Sequence, residues 1–203
     1  MNAPSLLVEV ADNAAVVRFN KAAQRNSLSV STLHELNNSL SALLPRDDLN
    51  AIIFTGTGDV FASGADISEL TRLDPSSALE FSKLGQSIFQ RIADAKQLTI
   101  AAINGYCMGG ALDLALSCDI RVASRNAVMS HPGAMRGIIT GWGGTQRLPR
   151  IVGRSRAIEM FVTASRIDSS SALSFGLIRE IGDPVVDCAL SVVRGAATNR
   201  LQI

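Results

Sequence analysis

The stretch AAINGYCMGGALDLALSCDI, residues 101–120, decides the fold. It begins within an apolar run, residues 99–103, which predicts a buried strand that Asn104-Gly105 ends. Met108-Gly109-Gly110 then opens a helix that is apolar on nearly every face, as is typical of a helix inside a core. A buried strand that runs through a glycine turn into a buried helix favours an α/β fold.

The flanking sequence continues this alternation of short β-branched runs and longer amphipathic runs. Ala11-Asp12-Asn13 is a turn-forming cluster between two such runs and predicts a hairpin of residues 6–10 and 14–19. The other predicted elements are strands over 51–56 and 119–124, helices over 29–44, 76–95 and 155–165, and a largely helical C-terminal third. Because no repeat or linker is evident, the simplest prediction is one domain over residues 1–203.

Composition and charge exclude several classes of function. Apolar residues make up 47% of the chain and charged residues 18%, which is typical of a well-packed globule. The net charge of +1 provides no field for nucleic acid or an anionic membrane. No apolar run approaches the ~18 residues of a membrane-spanning helix. We therefore expect neither nucleic acid nor a membrane as a partner.

Cysteine and histidine usage bears on location and metal binding. Cys107, Cys118 and Cys188 have no CxxC spacing and small or apolar neighbours, so reduced thiols and a cytoplasmic location are predicted. His34 and His131 are the only histidines, too few and too scattered for a metal site or a catalytic triad. We expect His34 to be solvated and no metal to be bound.

The segment FASGADISEL, residues 61–70, contains the first candidate site. Gly64 allows a tight bend, and Asp66 with Glu69 has the form of a helix N-cap with its reciprocal partner. Such a turn leaves free backbone N–H groups near Ala65 and Asp66. A capped helix after a loop, with no ligand, is the alternative interpretation.

Asp113 is the only charge among the apolar residues of the helix that follows Gly110, and Gly110 N–H is a natural donor to an oxyanion. Burial raises the pKa of a carboxyl group, as a general acid or base near neutral pH requires. A structural aspartate that pairs with an arginine or caps a neighbouring element explains the pattern equally well.

A third glycine-rich loop, Gly141-Trp142-Gly143-Gly144-Thr145, precedes a helix that bears Arg147, Arg150 and Arg154. The loop matches neither the P-loop nor the dinucleotide fingerprint, so a nucleotide-phosphate site is not expected. We expect these arginines to pair with Asp119 and other acids of the core.

These three segments have the order and spacing of those in crotonase-superfamily (enoyl-CoA hydratase/isomerase) proteins, which the chain resembles. QRNSLS (24–29) and the A-x-x-x-G-L-I segment beginning at Ala172 extend the resemblance over almost the whole chain. The resemblance implies a spiral of ββα units, in which helices surround two nearly perpendicular sheets. It also implies an acyl-CoA thioester as ligand, and no cofactor beyond the coenzyme A of the substrate.

The resemblance carries specific residues onto this chain. Ala65 and Gly110 match the residues whose backbone N–H groups hold the thioester oxygen, and Asp113 matches the first catalytic glutamate of the hydratases. The second glutamate matches Gly133. The residues that the resemblance assigns to substrate binding are Arg25, Ser27, Ala62, Gly64, Asp66, Ile67, Gly109, Pro132, Gly133, Gly141 and Trp142.

With one carboxylate at the matching positions, several reactions stay open. Isomerisation of an enoyl-CoA double bond needs a single base, whereas hydration is easiest with two carboxylates. Decarboxylation or thioester hydrolysis on the same scaffold, and acyl-CoA binding without catalysis, are the alternatives.

Relatives in this superfamily usually continue into a further helical segment beyond the helix that matches 187–198. That segment packs in a trimer, and the present sequence ends at Ile203. We expect the trimerisation segment to be lacking, and a homo-oligomer, trimer or hexamer, where the remaining surface permits it.

Overall fold

The computed structural model describes residues 4–200, with side chains from 4 to 196. Its larger sheet has six strands in the order β1-β2-β3-β5-β7-β10. The first two strands are antiparallel, and every later pair is parallel. The strands are β1 (Leu6–Ala11), β2 (Ala14–Phe19), β3 (Ala51–Thr55), β5 (Leu98–Ile103), β7 (Ile120–Ala123) and β10 (Glu180–Ile181).

The smaller sheet has four short strands: β4 (Val60–Ala62), β6 (Tyr106–Met108), β8 (Val128–Ser130) and β9 (Ile167–Asp168). Each of its first three strands follows a strand of the larger sheet after a brief turn, so that β3-β4, β5-β6 and β7-β8 each divide between the two sheets. A helix follows each pair. The chain thus repeats a ββα unit, and the α/β class with two helix-surrounded sheets is confirmed.

Eight helices between residues 4 and 200 complete the fold: α1 (Val30–Leu43), α2 (Ile67–Leu70), α3 (Pro75–Ala93), α4 (Gly110–Ser117), α5 (Gly144–Val152), α6 (Arg154–Thr163), α7 (Ser169–Ser174) and α8 (Val185–Arg200). Short 3-10 turns cover Ala22–Gln24 and Pro132–Arg136. In the described part of the chain, no helix combines the length and apolar character needed to cross a membrane.

The core lies on both faces of the larger sheet, and strand β2 shows how the faces divide. Ala15, Val17 and Phe19 belong to the larger cluster, which α1, α3 and α4 cover. Ala14 and Val16 point to the opposite face, into a smaller cluster under α8. Because successive side chains of a strand alternate in direction, one strand buries both of its faces.

Local predictions for the N-terminal region hold in detail. Asp12 and Asn13 have φ of 51° and 58°, which suits the tight turn of the β1-β2 hairpin. The helix predicted over 29–44 is α1, and the Ser29 hydroxyl caps it by accepting from Thr32 N. Cys107 and Cys118 are buried, and Cys188 is partly exposed.

Candidate active site

A cavity of about 390 Å³ opens where loops from the smaller sheet meet α3. The glycine turns at residues 63–65 and 109–110 form one side, and the segment from His131 to Trp142 forms another. Apolar side chains dominate the remaining wall, among them Leu70, Leu73, Phe81, Ile138, Ile139 and Phe161. Such an apolar cavity with a few polar groups is typical of a small-molecule site.

The two glycine turns lie against each other at the cavity. Gly64 has φ of 87°, and a Cβ there would lie 2.5 Å from Met108 O and 3.0 Å from Gly110 N. Only glycine allows this approach. Within residues 4–200, neither the Ala65 nor the Gly110 N–H donates to a backbone carbonyl. Both residues line the cavity, so two amide donors remain beside it.

The segment 24–29 holds the first of these turns from behind. Leu28 N donates to Gly64 O at 2.8 Å, and Ser63 N donates to Arg25 O at 3.0 Å. The buried side-chain amide of Asn26 donates to Val60 O at 2.8 Å. Residues far upstream therefore fix the direction of the backbone at Ala65.

Asp113 lies in the first turn of α4 and is fully buried. The Thr140 hydroxyl donates to its Oδ2 atom. Burial raises the pKa of the Asp113 carboxyl to about 7, against the opposing effects of Thr140, the backbone N–H groups of Trp142 and Gly144, and the charge of Arg147. The expected burial is confirmed, and no arginine lies within ion-pair distance among the described side chains.

His131 is a residue that the sequence patterns did not single out for this site. It lines the cavity, is 3% exposed, and has its Nε2 atom 3.4 Å from Asp113 Oδ1. The two atoms are within ion-pair distance but do not have hydrogen-bond geometry, and neither has another partner in the described structure. Burial lowers the pKa of His131 to about 4. The imidazole is therefore neutral near pH 7.

Trp142 forms the wall behind Gly110. A Cβ at either Gly85 or Gly110 would collide with its indole ring, so both glycines permit close packing. The indole N–H donates to Phe81 O at 3.3 Å, and the ring packs edge-on against Phe89. Trp142 thereby joins α3 to the start of α4 beside the cavity.

Comparison with known proteins identifies the family. The sequence profile described as "Enoyl-CoA hydratase/isomerase" matches residues 9–199. The chain belongs to this family. It is 36% identical over 185 residues to the short-chain-enoyl-CoA hydratase of Clostridium acetobutylicum. This match covers 91% of this chain and 71% of that protein. It is also 36% identical over 181 residues to the crotonyl-CoA hydratase of Syntrophomonas wolfei, with 89% and 70% covered.

Solved structures agree with this membership. DspI of Pseudomonas aeruginosa superimposes with a TM-score of 0.91 at 34% identity, over 97% of this chain and 82% of that one. An enoyl-CoA hydratase from Bacillus anthracis superimposes with a TM-score of 0.91 at 31% identity, over 96% and 77%. The chain is thus an enzyme of the enoyl-CoA hydratase/isomerase family with the crotonase fold.

Most of the residues expected to bind substrate come together at the cavity. Those that line it are Gly64, Ala65, Ile67, Gly109, Gly110, Pro132, Gly133, Gly141 and Trp142. Four others do not line it. Ala62 is fully buried in the core, and Arg25 lies over the Tyr106 ring at 5.7 Å. Ser27 interacts with the side chain of Asp66, which caps α2.

Gly133 occupies the position that the resemblance gives to the second glutamate of the hydratases. A Cβ there would lie 2.5 Å from Ile138 O, because the 3-10 turn folds back so that Ile138 N donates to Gly133 O at 3.1 Å. A side chain at this position requires the loop to move. The loop as it stands therefore has no room for a side chain at position 133.

The predicted capping box at the start of α2 is wrong. Glu69 does not complete a capping box with Asp66, because its carboxylate accepts from Val30 N at 2.9 Å and ties α2 to α1. Asp66 alone caps the short helix, by accepting from Ser68 N at 2.8 Å. The predicted site near Ala65 is unaffected by this change.

The arginines of the third glycine-rich loop also have different partners. Asp119 accepts from the backbone N–H and the hydroxyl of Thr99, each at 2.8 Å. Arg147 donates to Trp142 O at 3.3 Å and to Gln90 at 3.1 Å instead. Arg147 thus holds the loop that carries Trp142, and among the described side chains no arginine pairs with Asp119.

Proposed function

We propose that the protein acts on the thioester of an enoyl-CoA and stabilises its enolate with the backbone N–H groups of Ala65 and Gly110. One observation carries this proposal: two amide donors without backbone acceptors lie beside the same apolar cavity. Preorganised donors of this kind are each worth about 3 kcal/mol when the charge develops in a site that excludes water. Coenzyme A enters as part of the substrate, and we propose no separate cofactor.

Asp113 is the acid/base group of this proposal. A pKa of about 7 leaves its carboxyl group able to take up and release a proton near neutral pH. A buried carboxylate with an ordinary pKa would be a much weaker base. The cause of the raised pKa is burial, because desolvation disfavours the charged form.

Double-bond isomerisation is the reaction that this site supports best. A single acid/base group takes a proton from one carbon of the enolate system and returns it to another, so that no second carboxylate is needed. Hydration is the second candidate, since the relatives from Clostridium acetobutylicum and Syntrophomonas wolfei are named hydratases.

The test is a spectrophotometric assay of the purified protein with a 3-enoyl-CoA and with crotonyl-CoA. Increasing conjugated-enoyl absorbance with the 3-enoyl ester supports isomerisation, and decreasing absorbance with crotonyl-CoA supports hydration. If neither ester reacts while acetoacetyl-CoA still binds, the proposed reaction is wrong and the protein binds acyl-CoA without this chemistry. Free thiol release or carbon dioxide would instead identify the thioesterase or decarboxylase alternative.

The donor pair can be tested with a glycine variant that has a close control. Gly64→Ala places a Cβ against Met108 O and Gly110 N, whereas Gly153→Ala has the same kind of φ, 81° against 87°, with nothing within 4 Å of the added Cβ. Both variants place a side chain on backbone with positive φ, at a cost of about 1–3 kcal/mol. We expect only Gly64→Ala to lose kcat, by roughly 100-fold or more for a disturbed oxyanion donor. Equal kcat in the two folded variants would contradict the assignment of Ala65 and Gly110.

Assembly remains a proposal of the family resemblance. We propose a homo-oligomer, a trimer or hexamer, and sedimentation of the purified chain measures it directly. Exposed apolar side chains such as Met135, Ile139 and Val162, which are 79%, 67% and 70% exposed, give a surface for such contacts. A monomer at micromolar concentration would contradict this proposal.

A further inference from the structure

The proposed base does not itself line the cavity. Asp113 has no exposed surface, and two of the side chains that line the cavity, His131 and Thr140, contact its carboxyl group. Thr140 donates to Oδ2, and His131 faces Oδ1. A hydroxyl group can orient the carboxylate, but an imidazole can also transfer a proton, because it has two nitrogens.

The facing atoms of His131 and Asp113 form an incomplete hydrogen bond. Asp113 Oδ1 and His131 Nε2 are both buried, have no hydrogen-bond partner in residues 4–200, and lie 3.4 Å apart. Leaving two buried polar atoms unpaired is costly, because each has lost its water without gaining a partner. A shift of a few tenths of an ångström would join them through one shared proton. Catalytic hydrogen bonds are often long in the free enzyme and shorten when substrate binds.

We propose that His131 is a catalytic residue that carries the proton between Asp113 and the acyl chain of the substrate. This inference rests on the proposed enolate chemistry and identifies which side chain contacts the substrate. It also gives the site a second proton-transfer group, although position 133 is a glycine.

Two coupled proton transfers through His131 leave its imidazole uncharged. The cavity-side ring nitrogen takes a proton from the substrate carbon, and the C–H electron pair remains in the enolate, whose oxygen accepts from Ala65 and Gly110. The Nε2 proton passes at the same time to the Asp113 carboxylate. Negative charge moves from Asp113 to the enolate and the ring stays neutral, and the reverse transfer to a different carbon completes isomerisation.

The surroundings favour a neutral ring. His131 packs on the Phe161 ring at a centroid distance of 4.9 Å, and burial lowers its pKa to about 4. Apart from Asp113, no acidic side chain in the described structure pairs with it. A charged imidazolium would be costly in this position, so a relay through both nitrogens suits the site better than a stored proton.

Other groups around the pair determine its pH response. Burial raises the pKa of Asp113, whereas the Thr140 hydroxyl, the N–H groups of Trp142 and Gly144 and the charge of Arg147 lower it. The buried Cys107 thiol lies near Asp113, and burial followed by the Asp113 charge keeps its pKa well above the usual value. Cys107 is therefore a neutral thiol throughout the working pH range, and Asp113 is the group that titrates.

The experiment compares His131→Gln with His34→Gln, which is the same substitution at an exposed histidine on α1. We expect His131→Gln to lower kcat by about 100-fold, as removal of a proton-transfer group does, while the affinity for acetoacetyl-CoA changes by less than about threefold. His34→Gln is expected to match the unmodified enzyme. The pH dependence near neutrality should also flatten in His131→Gln, an effect that loss of packing alone would not produce.

A double variant tests whether His131 and Asp113 act as a unit. If they do, His131→Gln combined with Asp113→Asn should lose no more kcat than Asp113→Asn alone. Multiplying losses, or an unchanged kcat in folded His131→Gln, would overturn the relay. If His131→Gln does not fold, His131→Asn, a smaller polar replacement, is measured against the same two criteria.

These outcomes separate the relay from the proposed function. If the unmodified protein is active and His131→Gln keeps that activity, only the relay is wrong. If the unmodified protein turns over no enoyl ester, the proposed function is wrong and the relay is wrong with it. Loss of acetoacetyl-CoA binding in His131→Gln would show a structural role in the cavity and would also overturn the relay.

Discussion

Helix α4 has one aspartate at each end, and the two are held in opposite ways. Asp119 follows the helix, is exposed, and accepts two hydrogen bonds at 2.8 Å from Thr99, whose hydroxyl accepts from Asp119 N in return. Asp113 lies in the first turn with no exposed surface, and its Oδ1 atom has no hydrogen-bond partner among the described residues. Asp119 joins β5 to the start of β7, whereas the bonding capacity of Asp113 is only partly used.

The difference in burial separates a structural aspartate from a candidate acid/base group. An exposed carboxylate can fill its remaining acceptor positions with water. A carboxyl group that is buried with an open acceptor is poised between its two protonation states, at a cost in stability. Stability and reactivity are thus divided between two chemically identical side chains six residues apart.

Asp113→Asn is expected to have the largest effect on kcat. The amide keeps the shape of the side chain but cannot exchange a proton, so kcat should fall by about 10³-fold, within the range for general acid–base catalysis. Acetoacetyl-CoA binding should persist, because Ala65 and Gly110 are untouched. Unchanged turnover of the preferred enoyl ester would contradict the role of Asp113.

The same variant has a pH-dependent effect on stability. The pKa of Asp113 is about 7 in the fold and about 3.9 in an unfolded chain, so its contribution to stability is lost as pH rises through this interval. Between about pH 5 and about pH 7.5, the free energy of unfolding of the unmodified protein should therefore fall relative to that of Asp113→Asn. His131, whose pKa is lowered, acts in the opposite direction in both proteins. Parallel urea titrations measure the difference, and an equal change in both proteins would mean that Asp113 titrates normally.

Thr140→Val tests the surroundings of Asp113 by removing a single hydrogen bond to its carboxyl group. Loss of the hydroxyl should raise the pKa of Asp113 further, because this bond favours the ionised form. Because less Asp113 is then ionised near pH 7, kcat/KM should drop about fivefold at that pH and recover near pH 9. The control is Thr145→Val, which removes a hydroxyl on α5 that accepts from the Gln146 side chain. A pH profile identical to that of the control would refute the effect.

Asp119→Asn has the smallest expected effect and concerns the other aspartate. Weakening its bonds to Thr99 should lower the free energy of unfolding by about 1 kcal/mol. The kcat should stay unchanged, because Asp119 lies outside the cavity. A loss of kcat comparable to that in Asp113→Asn would mean that the difference between the two aspartates is not one of function.

The larger sheet and the long helices could be predicted from the sequence because their signals are local. Buried runs such as 51–55 and 98–103 mark strands, and leucines spaced three and four apart mark α1. The smaller sheet left no such signal, since β4, β6 and β8 have three residues each and hold together through one another. Three residues are too few to show alternation, so tertiary context alone defines these strands.

The site divides in the same way. Ala65, Gly110 and Asp113 lie within glycine-rich segments that are recognisable in the sequence, so these residues could be predicted. They come together at one place in the fold. His131 and Thr140 lie in the segment that follows β8, among ordinary residues, and only the folding of that segment against α4 brings them to Asp113. The sequence shows only a histidine directly before Pro132. Its importance depends on a contact with Asp113, which lies 18 residues earlier in the sequence.

The bonds from residues 26–28 to the strand and turn at 60–65 have a consequence for local unfolding. Leu28 N is held by Gly64 O, and Asn26 is bonded to Val60 O, so neither segment can open while the other stays closed. In an amide hydrogen-exchange experiment the two segments should therefore report one shared opening free energy, although more than thirty residues separate them in the chain. The orientation of the Ala65 N–H group therefore depends on both segments staying closed, and the less stable of the two limits how long it persists.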